Sequence, residues 1–214
     1  MNRVMRTPPL RLTLALLMVS PVLADDAEEG FVPLTDGKTF AGWTPSTENP
    51  GTWKIEDGAF VSRGPRSHLF YSGDGVPFKN FELKVEVMTE PGANGGIYFH
   101  TRYQETNWPK AGFETQVNNT QSDWKKTGSV YDVASVGFAA AEDRKWWTQH
   151  IIVEGNTVTV KVDGKTVVQY KEPPGAQPGT AFERKLGSGT FALQAHDPKS
   201  VVYYRNIRVK RLPD

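Results

Sequence analysis

No cysteine occurs among the 214 residues. Its absence excludes a disulfide scaffold, a thiolate metal site and an anchor through a lipidated cysteine. Helical periodicity is nearly absent as well. After Ala24 no segment sustains an apolar repeat near 3.6 residues, and the longest candidate, Val133 to Lys145, carries Gly137 inside it. No Gly-x-Ser-x-Gly elbow is present, which removes that class of serine nucleophile. Nor is there a Glu-x-Asp-x-x-Glu strand. A retaining glucanase needs two carboxylates ~5 to 5.5 Å apart. The nearest run, Glu82-Leu83-Lys84-Val85-Glu86, has Lys84 where the middle carboxylate belongs.

A large charge of either sign is also missing. Arg3, Arg6 and Arg11 precede the apolar run Leu12 to Val19 and then Val22-Leu23-Ala24, which reads as a secretory signal over residues 1–24 with a small-residue cleavage site, cut after Ala24. The apolar run falls short of the ~20 residues a membrane span requires. Removing this leader takes three of the 25 basic side chains and none of the 24 acidic ones, so the mature chain is close to neutral. A balanced charge argues against nucleic acid and against a membrane surface as partner, and points to a soluble periplasmic or secreted protein. Oligomeric state is not legible.

Strand signals dominate what is there. Thr52 to Phe60, Phe81 to Met88, Ile97 to Arg102, Phe113 to Asn118, Thr148 to Glu154, Thr157 to Val162, Thr166 to Tyr170, Thr190 to His196 and Val201 to Lys210 are rich in β-branched and aromatic residues. Phe81-Glu82-Leu83-Lys84-Val85-Glu86-Val87 alternates cleanly between apolar and charged. Asp57-Gly58, Gly155-Asn156 and Asp163-Gly164 supply tight turns. Many antiparallel strands with short turns predict an all-β sandwich or barrel, as one domain from about Glu28 to Leu212. Lys171 to Gly187, with Pro173, Pro174 and Pro178, reads as a long surface loop.

Alternation sorts the strands around Pro91 to Asn118 into two faces. Ile97, Phe99, Phe113 and Val117 share one. Tyr98, His100, Arg102, Glu114, Gln116 and Asn118 share the other, and the same parity adds Gln194 and His196. An aromatic, two imidazoles, a guanidinium, a carboxylate and several amides make a floor suited to a hydroxyl-rich ligand such as a carbohydrate. Asn94-Gly95-Gly96 reads either as a loop that lets backbone approach a ligand or as a turn entering the strand. His68 and His150 read as structural. No cofactor is expected and no metal site is assigned; His100, Glu114 and His196 are the set able to converge on a divalent ion.

A family resemblance rests on the ordered motifs Phe31-Val32-Pro33-Leu34-Thr35-Asp36-Gly37-Lys38, Gly42-Trp43, Trp53 to Gly58, Phe81-Glu82-Leu83, Pro91 to Ile97, Gly112-Phe113-Glu114-Thr115-Gln116, Thr127 to Tyr131, Leu193-Gln194-Ala195-His196 and Arg205-Asn206-Ile207. Together they resemble the 3-keto-disaccharide hydrolase domain family. The resemblance implies a concanavalin-A-like jelly-roll sandwich of two antiparallel sheets with long rim loops. The chain departs from the family where it has His100 for an arginine, Asn118 and Asn119 for an aspartate, and Asn80 for an aspartate.

The resemblance also implies an exported enzyme acting on 3-keto-glycosides. A ketone at C3 acidifies the C2 proton and makes the C1 glycoside a leaving group, so elimination followed by water addition gives net hydrolysis. Glu114 or His196 is then the base, His100 or Arg102 the enolate stabiliser, and Tyr131 or water the acid. Asn94, Tyr98, Gln116, Asn118, Gln194 and Trp147 are the expected substrate contacts. A noncatalytic carbohydrate-binding module is the competing reading; it needs the floor and an aromatic rim from Trp108, Trp124 and Trp147, but no tuned acid or base.

Overall fold

Thirteen strands account for almost all the regular structure in the computed structural model, which describes residues 28–214. The signal read in residues 1–24 lies outside the described residues. In chain order the strands are β1 Val32–Pro33, β2 Trp43–Pro45, β3 Trp53–Glu56, β4 Ala59–Arg63, β5 Ser67–Tyr71, β6 Phe81–Thr89, β7 Gly95–Thr101, β8 Phe113–Val117, β9 Trp147–Glu154, β10 Thr157–Val162, β11 Lys165–Lys171, β12 Thr190–Ala195 and β13 Val201–Arg211. One turn of 3-10 helix, Pro50–Thr52, is the only helix among the described residues.

The strands form two antiparallel sheets packed face to face. The larger runs β11-β10-β9-β6-β13-β4-β3, with β1 added beside β13; the smaller runs β2-β5-β12-β7-β8. This is a sandwich, one of the two architectures that the strand pattern predicts, and the jelly roll that the family resemblance implies. Asp57-Gly58 splits the run expected from Thr52 to Phe60 into the hairpin β3–β4. Asp57, Gly58, Asp163 and Gly164 all have positive φ, which tight two-residue hairpins demand.

The core lies between the sheets. Phe81, Leu83, Val85 and Val87 of β6 point inward with Ile151 and Val153 of β9, opposite Ile97, Phe99, Phe113, Phe191 and Leu193 of the smaller sheet. Strand β13 keeps Val202 and Tyr204, then Ile207 and Val209, inward although their parity changes. A bulge between Arg205 and Arg208, with Asn206 at φ 47°, absorbs the extra residue.

The two sheets differ in their outer faces. On β6 every second residue is partly exposed, as in a sheet with one wet face. Every residue of β5, β7, β8 and β12 is buried. Loops cover the outer face of the smaller sheet, and the polar floor lies beneath them. This double burial also explains why Ser67–Tyr71 carries no obvious strand signal: buried on both faces, it lacks a polar-apolar alternation.

Gly112 opens β8 at φ 72°, and a Cβ there would lie 2.6 Å from the His100 carbonyl carbon. Replacement by alanine should therefore lower the urea midpoint, with ~1–3 kcal/mol lost through the backbone conformation alone. Gly51, with no heavy atom within 4 Å of a built Cβ, is the control and should tolerate alanine. Equal midpoints for the two variants would contradict this reading.

Candidate functional site

Register places the floor residues side by side. Tyr98 of β7 faces Glu114 of β8, Gly96 faces Gln116, and Ala192 of β12 lies opposite Tyr98. One pleat along β12 is Gln194, paired across to His68 of β5. His196 follows the strand on the same face. Together with Asn94, Trp108, Asp123, Tyr131, Asp132, Phe182 and Arg184, the residues Tyr98, Glu114, Gln116, Gln194 and His196 line a cavity of about 290 Å³.

Glu114 is at the bottom, 5% exposed. Tyr98 Oη donates to its Oε2 at 2.9 Å and Gln194 Nε2 donates to its Oε1 at 2.7 Å. Gln194 Nε2 also donates to Tyr98 Oη at 3.0 Å, which closes a triangle. Burial pushes the Glu114 carboxyl above its ordinary value, against the opposing effects of Arg184, the two hydrogen bonds and His196. Burial and the neighbouring Glu114 charge raise the Tyr98 phenol well above its own ordinary value, so it serves as a fixed donor. The pair Gly95-Gly96 belongs to β7 rather than to a turn, and each glycine makes room for a side chain. A Cβ on Gly95 would lie 2.6 Å from Tyr204 Oη, and one on Gly96 would overlap Glu114 Oε1.

His196 has a carboxylate behind it. Its Nδ1 lies 2.8 Å from Asp197 Oδ2, which also accepts from Ser200 Oγ at 2.8 Å, while Lys199 N donates to Oδ1 at 2.8 Å. Burial tends to raise the Asp197 carboxyl, but these hydrogen bonds prevail and hold it below its ordinary value. An anionic Asp197 fixes the tautomer with the proton on Nδ1 and leaves Nε2 as an acceptor. Ser200 Oγ in turn accepts from Asn94 N at 2.9 Å, tying this corner to the segment before β7.

The walls come from loops. Thr127 to Tyr131 runs along the free edge of β8, with Tyr131 N donating to Glu114 O at 2.9 Å. Trp108 forms the opposite wall: the His196 ring lies 5.1 Å and the His68 ring 5.6 Å from its centroid, and the Arg66 guanidinium is 4.9 Å above it. Burial brings His68 down to about 3, so this imidazole is neutral and acts as packing under the wall. The proline-rich loop contributes Phe182 and Arg184. Glu183 N donates to Lys110 O at 2.8 Å, and buried Glu172 accepts from Leu186 N at 2.7 Å and from Lys185 Nζ. Arg184 Nη1 reaches Gly112 O at 3.4 Å, while its buried Nε has no protein partner.

Four expected residues are elsewhere. His100 leaves the floor because β7 carries a bulge: the pairing steps from Ala192↔Tyr98 to Thr190↔Thr101, and His100 takes φ 53°. Its ring packs on Phe81 and Phe99, with Nδ1 accepting from Gly187 N at 3.2 Å and Nε2 donating to Lys79 O at 2.8 Å. The divalent-ion set His100, Glu114 and His196 therefore does not converge, and no group of three His, Asp or Glu suited to a metal occurs among the described residues. Arg102 lies past the end of β7, exposed and paired with Glu183. Asn118 is buried and spends its amide on Asp123 O and Lys125 O, both at 2.9 Å. Trp147 belongs to β9 of the larger sheet and packs into the core.

Sequence reasoning missed Arg184, Phe182, Asp123 and Asp132, which stand on aperiodic loops with no strand parity to place them. Trp108 was foreseen only as part of an aromatic rim.

Comparison with known proteins bears on the same features. A 3-keto-disaccharide hydrolase of Bacteroides thetaiotaomicron is 29% identical over 240 residues, covering 90% of this chain and 80% of that protein. Among solved structures, a candidate glycosyl hydrolase from Parabacteroides distasonis superposes with a TM-score of 0.72 at 22% identity, over 86% of this chain and 95% of that one. The carbohydrate-binding module CBM66 from Bacillus subtilis superposes with a TM-score of 0.57 at 15% identity, over 79% and 95% of the two chains. At such identities the two structures speak for the fold alone. The family described as the 3-keto-alpha-glucoside-1,2-lyase-like domain matches residues 30–210, which takes in all the strands but for the last residue of β13, and the whole cavity, and the chain belongs to that family.

Proposed function

We propose that the protein cleaves 3-keto-glycosides, 3-keto-disaccharides among them, by elimination across C1 and C2. The observation that carries this reading is that two titratable groups meet in one cavity in different surroundings: Glu114, buried and raised by that burial, and His196, whose Nδ1 lies 2.8 Å from an Asp197 held down by hydrogen bonds. Environments that drive two titratable groups apart assign an acid and a base. A module that only binds sugar has no need of either.

His196 Nε2 removes the C2 proton, with Asp197 steadying the imidazolium that forms. The C–H electron pair becomes the C2=C3 double bond and the C3 carbonyl becomes an enolate oxygen. Arg184 replaces His100 and Arg102 as the cation for that oxygen, since its Nε is a buried donor without a protein partner. The enolate then reforms the ketone, C1=C2 forms, the C1–O bond breaks, and Glu114 gives the departing oxygen a proton. Water adding its hydroxyl to C1, with Glu114 taking back a proton and His196 returning its own to C2, completes hydrolysis. Release before that addition leaves the 1,2-unsaturated 3-keto sugar, the outcome of a lyase. Gln116, Gln194, Asn94 and Tyr131 contact hydroxyls.

The roles separate by leaving group. With a 3-keto-glucoside of p-nitrophenol, which departs without protonation, Glu114→Gln should retain most activity, yet lose on the order of 10²-fold or more on 3-keto-trehalose. His196→Gln should lose a similar factor on both and should also abolish C2 hydrogen exchange in deuterated water. Equal losses for both variants on both substrates would reverse or remove the assignment. Tight binding of unoxidised glycan with no release of sugar from any 3-keto-glycoside would instead establish the binding-module reading.

Stability offers a second measurement. A carboxyl raised above its ordinary 4.5 costs folding free energy as pH rises from 4.5 through its folded value, because the buried charged form is disfavoured. The stability of Glu114→Gln relative to the wild type should therefore grow as pH rises above 4.5. Any constant offset from altered hydrogen bonding drops out of the comparison. A difference independent of pH would mean that Glu114 is not raised.

Export belongs to the same proposal, on the basic and then apolar pattern of residues 1–24. Expression of the full chain in a Gram-negative host should yield a periplasmic protein beginning at Asp25 by N-terminal sequencing. Retention of the leader in a cytosolic product would contradict it.

A further inference from the structure

The cavity is small for a disaccharide. At about 290 Å³ it sits at the lower edge of the ~300–1,000 Å³ typical of ligand pockets, room for one pyranose but not two. A second ring has to lie beyond the mouth, and one part of the rim is built to receive it. Trp124, 60% exposed, follows Asp123 of the cavity wall, and Phe138, also exposed, follows Gly137, on which a Cβ would lie 3.8 Å from Trp124 Cε3. Lys125 Nζ links Trp124 to the cavity: it is 5.9 Å from the centre of the indole and 4.1 Å from that of Tyr131, and is paired with Asp132 at 2.8 Å. Tyr131 and Asp132 both line the cavity.

An exposed tryptophan on a loose loop would mean little. This one has its backbone held from both sides. Asn118 Nδ2 donates to the carbonyls of Asp123 and Lys125, the residues flanking Trp124, and Lys125 N donates to Asp123 Oδ1 at 3.0 Å. One residue further, Lys126 N donates to Val136 O at 2.9 Å and ties the strip to the segment that carries Gly137 and Phe138. Asn118 is fully buried, so this clamp is continuous with the end of β8. Such a backbone loses little conformational freedom when a ligand binds, the condition under which a single aromatic contact gives useful affinity.

We infer that Trp124 is the stacking platform for the leaving sugar: the oxidised ring occupies the cavity, and the unoxidised pyranose lies over the indole, with the Lys125–Asp132 pair beside it as hydrogen-bonding partners for its hydroxyls. The apolar C–H face of a pyranose matches an exposed ring face, and its equatorial hydroxyls match a polar flank. The inference rests on the proposed cleavage of 3-keto-glycosides, and its test separates the two.

The experiment compares the wild type, Trp124→Ala and Trp124→Phe on 3-keto-trehalose and on methyl 3-keto-α-glucoside, which share the reacting ring and differ in the group that departs. Trp124→Ala should lower kcat/KM about 10-fold on the disaccharide, mostly through KM, and less than about 2-fold on the methyl glycoside, with Trp124→Phe recovering most of the loss. Equal effects on the two substrates, or none on either, would overturn the platform. A thermal melt of Trp124→Ala matching the wild type shows that the fold is retained. Titration of nitrogen-15-labelled protein with glucose, followed at the Trp124 indole N–H, reads the platform without any turnover. With Trp124→Ala used to assign the signal, a saturable shift of that N–H on adding glucose supports the platform even if neither keto sugar is cleaved, and no shift at saturating glucose refutes it even if both are.

Discussion

A carboxylate at the bottom of a covered sheet is the constraint on which the rest of the site depends. Removing Glu114 from water is costly unless its oxygens are hydrogen-bonded, and the neighbouring strands meet that demand with Tyr98 on one oxygen and Gln194 on the other. Both donors must stay donors. Tyr98 does so because burial and the adjacent charge raise its phenol, and Gln194 because its amide nitrogen is committed to Glu114 and Tyr98 together. The glycines of β7 are part of the same solution, since any side chain at residue 96 would occupy the space of the carboxylate. Loops then complete the burial, and the smaller sheet becomes buried on both faces.

The fold was legible in the chain to the extent that one sheet face meets water. Strand β6 alternates perfectly, and the turns at Asp57-Gly58, Gly155-Asn156 and Asp163-Gly164 fall between strands where expected. Strand β5 was invisible because both of its faces are covered, and β1 and β2 are too short to show a period. For the site, parity brought Tyr98, Glu114, Gln116, Gln194 and His196 together. It failed at His100, where a bulge adds one residue and turns the ring inward. It also failed at Asn118, whose polarity serves the chain's own backbone, and at Trp147, an aromatic of the opposite sheet. Arg184 was beyond reach: a residue at φ 42° in a proline-rich loop has no neighbours in sequence that reveal its neighbours in space.

Lectins, binding modules and enzymes share this sandwich, and the fold by itself favours none of them. The proposal of catalysis rather than binding alone rests on the contrast between two carboxyls of the smaller sheet's outer face. Asp197 sits just after β12 among hydrogen-bond donors and a partly exposed imidazole, while Glu114, the second residue of β8, sits beneath a roof. The same chemical group therefore has two different proton affinities on one sheet, set by depth and by the number of donors each receives.

The empty position at residue 96 has a consequence for reading relatives of this chain. A carboxylate at the position of Glu114 is informative only where its diagonal neighbour across the ladder, one pleat from the residue it pairs with, has no side chain. A sequence that keeps the glutamate but carries alanine or serine in place of Gly96 must swing the carboxyl away from the tyrosine and glutamine that hold it here. Two letters eighteen positions apart thus act as a single word, and a search for working members of the family should require both.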